Sequence, residues 1–219
     1  ISSIAVIGPN ADDKTVLLGN YNGTPSKYTT LLRGIQDATS AKVYYAKGCD
    51  LTKPQVGEWE EHYLREAIIA ATKADVVIMC MGLNPLLEGE EGDAYNGNFS
   101  GDKSDLELPY PQKELFEELI KLGKPIVFVN VSGSCINLCR QDEKCSAVLQ
   151  CFYPGAEGGN ALADILFGFV SPSGRLPVTF YKSAEDLPDF RNYSMEGRTY
   201  KFFEGEPLYP FGHGLTYGN

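Results

Sequence analysis

Short apolar runs alternate with amphipathic stretches along this chain. Runs at residues 4–8, 42–46, 76–82, 126–131, 147–152 and 176–180 have the length and composition of strands. Between them, residues 30–38, 58–72, 111–122 and 158–167 carry helical periodicity. In the second of these stretches Tyr63, Ala67, Ile68 and Ala71 are spaced to share one helical face. Pro111 suits the first turn of a helix, and Gly123 with Pro125 would end that helix before the next strand. Alternation of this kind predicts an α/β fold. The expected architecture is a three-layer sandwich, a mostly parallel sheet of about six strands with helices on both faces, formed by residues 1–219 as one domain.

The same pattern locates a candidate site. Ligands of parallel α/β sheets sit beyond the carboxyl ends of the strands. The segment 83–109, too long for a routine connection, leaves the strand at 76–82 at that edge. Ser132-Gly133-Ser134 follows the next strand and Tyr153-Pro154-Gly155 the one after, so three loops are expected to converge. Near its start the long segment reads Leu87-Glu88-Gly89-Glu90-Glu91-Gly92-Asp93. Such a cluster is a solvated acidic loop, a calcium site lacking the EF-hand pattern, or a catalytic pair in which crowding keeps one carboxyl protonated as a general acid. Composition and spacing leave these three readings open.

Composition narrows the partners. A net charge of -10 disfavours nucleic acid and anionic membrane surfaces and suits a neutral ligand such as a sugar. No run of 18 apolar residues exists to span a membrane, and the chain opens on a strand-like run rather than a signal peptide. None of the six cysteines forms a Cys-x-x-Cys pair, so no metal is expected, and Cys80 and Cys151 read as small buried hydrophobes. Cys139 and Cys145 are candidates for a disulfide in an exported protein. Gly8 and Gly19 suggest a phosphate cradle, but no Gly-x-Gly-x-x-Gly or Lys-Ser/Thr motif follows, and no cofactor is expected. His62 reads as a surface residue and Tyr200, Phe202 and Phe203 as packing residues of a half-buried strand. Asn22, Asn98, Asn130 and Asn192 each begin an Asn-x-Ser/Thr sequon.

Further motifs run in a set order. The chain opens Ile4-Ala5-Val6-Ile7-Gly8-Pro9-Asn10-Ala11-Asp12, and Leu18-Gly19-Asn20-Tyr21-Asn22-Gly23 precedes Tyr28-Thr29-Thr30. Then come Tyr153-Pro154-Gly155-Ala156-Glu157-Gly158-Gly159-Asn160-Ala161 and Pro172-Ser173-Gly174-Arg175-Leu176-Pro177-Val178-Thr179. Gly197-Arg198-Thr199-Tyr200-Lys201-Phe202-Phe203 and Leu208-Tyr209-Pro210-Phe211-Gly212-His213-Gly214-Leu215-Thr216-Tyr217 complete the series. In this order the motifs resemble the second, α/β domain of glycoside hydrolase family 3, closest to its β-xylosidase and β-glucosidase branch.

That resemblance implies a retaining exo-β-glycosidase acting on the terminal β-linked sugar of an oligosaccharide, with β-xylosidase favoured over β-glucosidase. It implies an active site shared with an N-terminal (β/α)8 barrel of the same parent chain, which carries the nucleophilic Asp. There is no room for that barrel here, so the chain is expected to be a fragment, inactive alone, of a secreted or periplasmic protein. Glu88-Gly89-Glu90 fits the Glu-x-Glu pattern of the β-xylosidase branch, in which the second Glu is the general acid/base, so the resemblance assigns that role to Glu90. The Glu-Gly pattern of the β-glucosidase branch would assign it to Glu91 instead. Glu88, Asp102 and Lys103 are expected to touch substrate or support the acid. The family's Asp-Arg pair becomes Asp102-Lys103 after an inserted stretch, and is expected to hold the loop less rigidly because lysine lacks the planar fork. His213 falls at a variable position of its motif, and no catalytic role is expected for it. The competing readings are a non-catalytic carbohydrate-binding or interaction module on the same fold and, more remotely, a nucleotide-binding α/β protein.

Overall fold

The computed structural model describes residues 1–52, 58–88, 103, 105–189 and 191–218, with side chains for all of these except 58–61. Strands β1 (Ser3–Ile7), β2 (Lys42–Ala46), β3 (Val76–Gly82), β4 (Ile126–Val131) and β5 (Ala147–Gln150) form one parallel sheet in the order β2-β1-β3-β4-β5. Around it lie α1 (Leu31–Ala38), α2 (Glu58–Lys73), α3 (Tyr110–Ile120), α4 (Cys139–Lys144), α5 (Gly158–Leu166) and α6 (Thr199–Phe202).

The pleat sorts the strand residues onto two apolar faces. Ile4, Val6, Ile78 and Cys80 point to the side covered by Leu31 and Ile35 of α1 and Leu162 of α5. Ala5, Ile7, Val77 and Met79 point to the other, covered by Ala67 and Ala71 of α2 and by Leu115, Phe116 and Leu119 of α3. The three-layer arrangement is therefore as the periodicity predicts. Burial on both faces is what holds it, at about 1.5–3 kcal/mol for each large side chain fully removed from water.

Between α1 and α5 the backbones themselves touch. A Cβ on Gly34 would stand 2.0 Å from the Gly159 carbonyl oxygen, and one on Gly159 would stand 2.0 Å from that of Thr30. Hydrogen bonds stitch the same contact: the Thr29 N–H donates to the Ala156 carbonyl (2.8 Å), and the Gly159 N–H donates to that of Thr29 (3.0 Å). Thr30 caps α1 by accepting from the Arg33 N–H (3.2 Å), while its hydroxyl donates to Asp12 (2.8 Å). Two motifs far apart in the chain, around residues 28–30 and 153–161, thus form one junction.

Three expectations need correction. Residues 176–180 do not add a sixth strand to the sheet; they run beside residues 208–213 instead. The Leu176 N–H donates to His213 (2.9 Å) and the Phe180 N–H to Tyr209 (2.9 Å), with a single antiparallel bridge between Phe180 and Tyr209. Pro177 and Pro210 lack the N–H that a continuous ladder needs. Secondly, Tyr200 and Phe202 lie in the short helix α6 rather than a strand. Tyr200 stacks on Phe211 with centroids 4.4 Å apart, and Phe203 meets Tyr181 edge-on at 4.9 Å. Thirdly, Cys139 and Cys145 do not pair, and all six cysteines are free thiols. They stand at the two ends of α4, where six residues of helical rise separate Cα atoms by about 9 Å, beyond the reach of a disulfide.

Of the sequons, Asn130 is fully buried in β4, whereas Asn22 and Asn192 are exposed; Asn98 lies outside the described residues.

Gly159→Ala, and equally Gly34→Ala, should destabilise the protein by about 1–3 kcal/mol or more, because backbone cannot yield to a methyl group as a side chain can. Gly23→Ala, with open space around it, serves as the silent control in urea denaturation. A second test concerns Asp75, which ties the start of β1 to the turn before β3 by accepting from the Ser2 N–H (2.7 Å) and hydroxyl (2.8 Å) and the Ser3 N–H (3.0 Å). These bonds, the Ser2 N–H foremost, lower its pKa to about 2 from an ordinary 3.8. A depressed carboxyl contributes stability above its unfolded value and loses it as pH falls through the folded one. Asp75→Asn should therefore melt earlier than the unaltered protein at pH 6, and the gap should close between about pH 4 and pH 2.

Candidate active site

At the carboxyl edge of the sheet, the exit of β3 is held from both sides. Gln112 of α3, fully buried, donates to the Gly82 carbonyl (2.7 Å) and to that of Leu51 (2.8 Å), and accepts from the Gly82 N–H (2.8 Å). Asn10, also fully buried, donates to the Leu83 carbonyl (2.7 Å) from the loop after β1. A turn then begins at Asn84, whose carbonyl accepts from the Leu87 and Glu88 N–H groups (3.0 and 3.2 Å).

This turn delivers the Glu88 carboxylate onto the loops that follow β4 and β5. One oxygen accepts from the Gly133 N–H (2.6 Å) and the Tyr153 hydroxyl, and the other from the Ser134 N–H (2.9 Å) and the Ser134 hydroxyl. The three loops expected to converge therefore do so, and the residue that gathers them is Glu88. Two oxygens facing four donors are fully employed as acceptors, which leaves them poorly placed to hold a sugar hydroxyl.

The turn that receives Glu88 is itself braced from below. Asn130, buried in β4, donates to the Ser132 hydroxyl (2.9 Å) and to Gln150 of β5 (2.6 Å). Gln150 donates to the Ser132 carbonyl (3.0 Å), and the Ser132 hydroxyl donates to the Ser134 carbonyl (2.8 Å). Just beyond, the Lys103 ammonium donates to the Cys135 carbonyl (2.8 Å). Burial pushes the Lys103 pKa down, and the Glu88 charge offsets part of that. Burial and then the Glu88 charge push the Tyr153 phenol up, so it is a hydroxyl donor at any physiological pH.

Glu90, Glu91 and Asp102 lie outside the described residues. Of the five residues singled out from the sequence, the structure thus brings Glu88 and Lys103 together on the turn at 133–135. Sequence reasoning did not give roles to Tyr153, Gln112 or Asn10. Tyr153 stood inside a quoted motif, but nothing in its neighbours says where a phenol hydroxyl will point. Among the described residues no group of three His, Cys, Asp or Glu side chains could hold a metal. Cys151 is a half-buried thiol whose pKa is pushed up to about 12 by desolvation, and His213 lies flat on Tyr209 with centroids 4.8 Å apart. His62 is exposed on α2.

Residues 1–217 match the model of the glycosyl hydrolase family 3 C-terminal domain. The chain belongs to that family. Its relatives include a xylan 1,4-β-xylosidase of Xylanibacter ruminicola, 47% identical over 154 residues, or 70% of this chain and 18% of that protein. A periplasmic β-glucosidase of Salmonella typhimurium is 33% identical over 246 residues, 98% of this chain and 31% of that protein. Among solved structures, a GH3 exo-β-xylosidase in complex with a xylobiose aziridine activity-based probe superposes with a TM-score of 0.86 at 32% identity, over 100% of this chain and 28% of that one. This family 3 domain therefore spans less than a third of the length of these relatives.

If the carboxylate of Glu88 gathers the loops, removing it should free the turn. In Glu88→Ala the amides of Gly133 and Ser134 should exchange with solvent about 10–100-fold faster, the equivalent of charge-assisted bonds of about 1.5–3 kcal/mol. Exchange measured by mass spectrometry should leave β1 and α1 unchanged; a uniform rise across the sheet would instead mark global destabilisation.

Proposed function

We propose that this domain supplies the general acid/base of a retaining exo-β-glycosidase, a β-xylosidase in preference to a β-glucosidase, whose nucleophilic Asp stands on an N-terminal (β/α)8 barrel of the same protein. The observation that carries this reading is the Glu88 junction at the carboxyl edge of the sheet, where an α/β fold presents its ligands. Glu90 follows two residues later, within about 7 Å of extended chain. The xylan 1,4-β-xylosidase relative at 47% identity and the exo-β-xylosidase structure support xylose as the sugar.

In this mechanism the barrel's Asp attacks the anomeric carbon while Glu90 protonates the departing oxygen. Glu90 then takes the proton of the attacking water, and the two carboxyls work about 5–5.5 Å apart. Glu91 is the alternative bearer of the same role. Glu88, with its lone pairs taken by the protein, supports the acid rather than contacting substrate. The domain alone has no nucleophile and is inactive. Exposed aromatic side chains of the tail, Tyr193, Tyr200 and Tyr217 among them, are available for packing against the barrel. The parent protein is secreted or periplasmic, in keeping with the periplasmic β-glucosidase among the relatives. No helix of the described residues is long and apolar enough to cross a membrane.

The test is hydrolysis of aryl β-xylosides and β-glucosides by the full-length enzyme carrying Glu90→Gln or Glu91→Gln. Loss of the general acid should lower kcat/KM, which reports the first, leaving-group step, by about 10²–10⁴ on substrates with poor leaving groups and much less on dinitrophenyl glycosides, whose departure needs no proton. If neither variant discriminates between the two classes, the acid lies elsewhere.

A further inference from the structure

The residues on either side of the acidic segment are fastened to successive residues of one turn, Gly133 to Cys135. Glu88, immediately before residues 89–102, accepts from the N–H groups of Gly133 and Ser134. Lys103, immediately after them, donates to the carbonyl of Cys135. Glu88 and Lys103, 15 positions apart in the chain, therefore meet at one short turn. A chain of that length with loose ends has many more placements available than one whose ends are fixed side by side. The turn is a stiff base, because the buried Asn130 and Ser132 and the half-buried Gln150 bond it to β4 and β5. Tyr153, arriving from the loop after β5, closes the far side of Glu88. The fit is close: a Cβ on Gly133 would stand 2.9 Å from the Tyr153 ring and 3.2 Å from Glu88.

We infer that Glu88, Tyr153 and Lys103 are positioning residues, which clamp the two ends of the acidic segment to the turn at 133–135 and so set where the acid/base carboxylate is held. This rests on the reading that the segment carries that carboxylate. Lysine in place of the family's arginine is sufficient here, because its target is a single carbonyl oxygen and not a planar carboxylate. The inference extends the Glu88 junction to a function for Tyr153 and Lys103, neither of which needs to touch sugar.

In the leaving-group step, which kcat/KM reports, a misplaced acid penalises only those substrates that need its proton, and displacements of about 1 Å suffice for effects of about 100-fold. In the full-length enzyme, Glu88→Gln and Tyr153→Phe should each lower kcat/KM on aryl β-xylosides with poor leaving groups by about 10–100-fold. On dinitrophenyl β-xylosides they should stay within about threefold. The double variant should be little worse than Glu88→Gln alone, since the two share one interaction. Lys103→Met should show the same discrimination and Lys103→Arg should recover most of the loss, because arginine keeps a donor for the Cys135 carbonyl. Should Glu88→Gln fail to fold, Tyr153→Phe and the Lys103 pair decide the matter alone.

Equal losses of kcat/KM on both substrate classes, or no loss on either, would overturn the clamp while Glu90→Gln or Glu91→Gln still discriminated. Absence of discrimination in both of those variants would instead remove the acid from this segment, and the clamp's role with it.

Discussion

A parallel sheet that is apolar on both faces must be covered twice, and most of this architecture follows from that requirement. Every connection between neighbouring parallel strands crosses the sheet on one side or the other, so helices supply the cover as a by-product of connectivity. With all five strands pointing one way, the chain must leave β3, β4 and β5 at the same edge. Cover has to be close to be effective, and α1 meets α5 through Gly34 and Gly159 because any side chain there would hold the two helices of this layer apart.

Polar groups then decide how the carboxyl edge is organised. Gln112, Asn10, Asn130 and Ser132 are fully buried, and each bonds a backbone or side-chain group at a strand exit. Buried polar side chains are costly unless satisfied, so such a network admits few alternative arrangements. It is the rigid floor on which a carboxylate can be held. Glu88 repays its partial desolvation through four donors and the charge of Lys103 nearby.

The tail follows another rule. Residues 176–180 and 208–213 pair with each other where prolines permit and hold aromatic rings between them. Arg198 fixes the preceding loop by reaching the carbonyl groups of Asp189, Asn192 and Ser194. Several rings in this part remain exposed.

The layered α/β fold was legible in the chain because periodicity is local: the alternation that assigns Ile4 and Val6 to one face and Ala5 and Ile7 to the other is written in consecutive residues. The family motifs were legible for the same reason, and so was the convergence of three loops on one edge, which needs only strand direction. Tertiary structure alone decided what those loops do there. That Glu88 is an acceptor for Gly133, Ser134 and Tyr153 and not an open ligand depends on groups 45 to 65 residues away. That residues 176–180 leave the sheet depends on a partner near residue 210 competing for their backbone groups. Hydrogen bonds of this kind depend on distance and direction in space, and a local pattern of apolar and polar residues encodes neither.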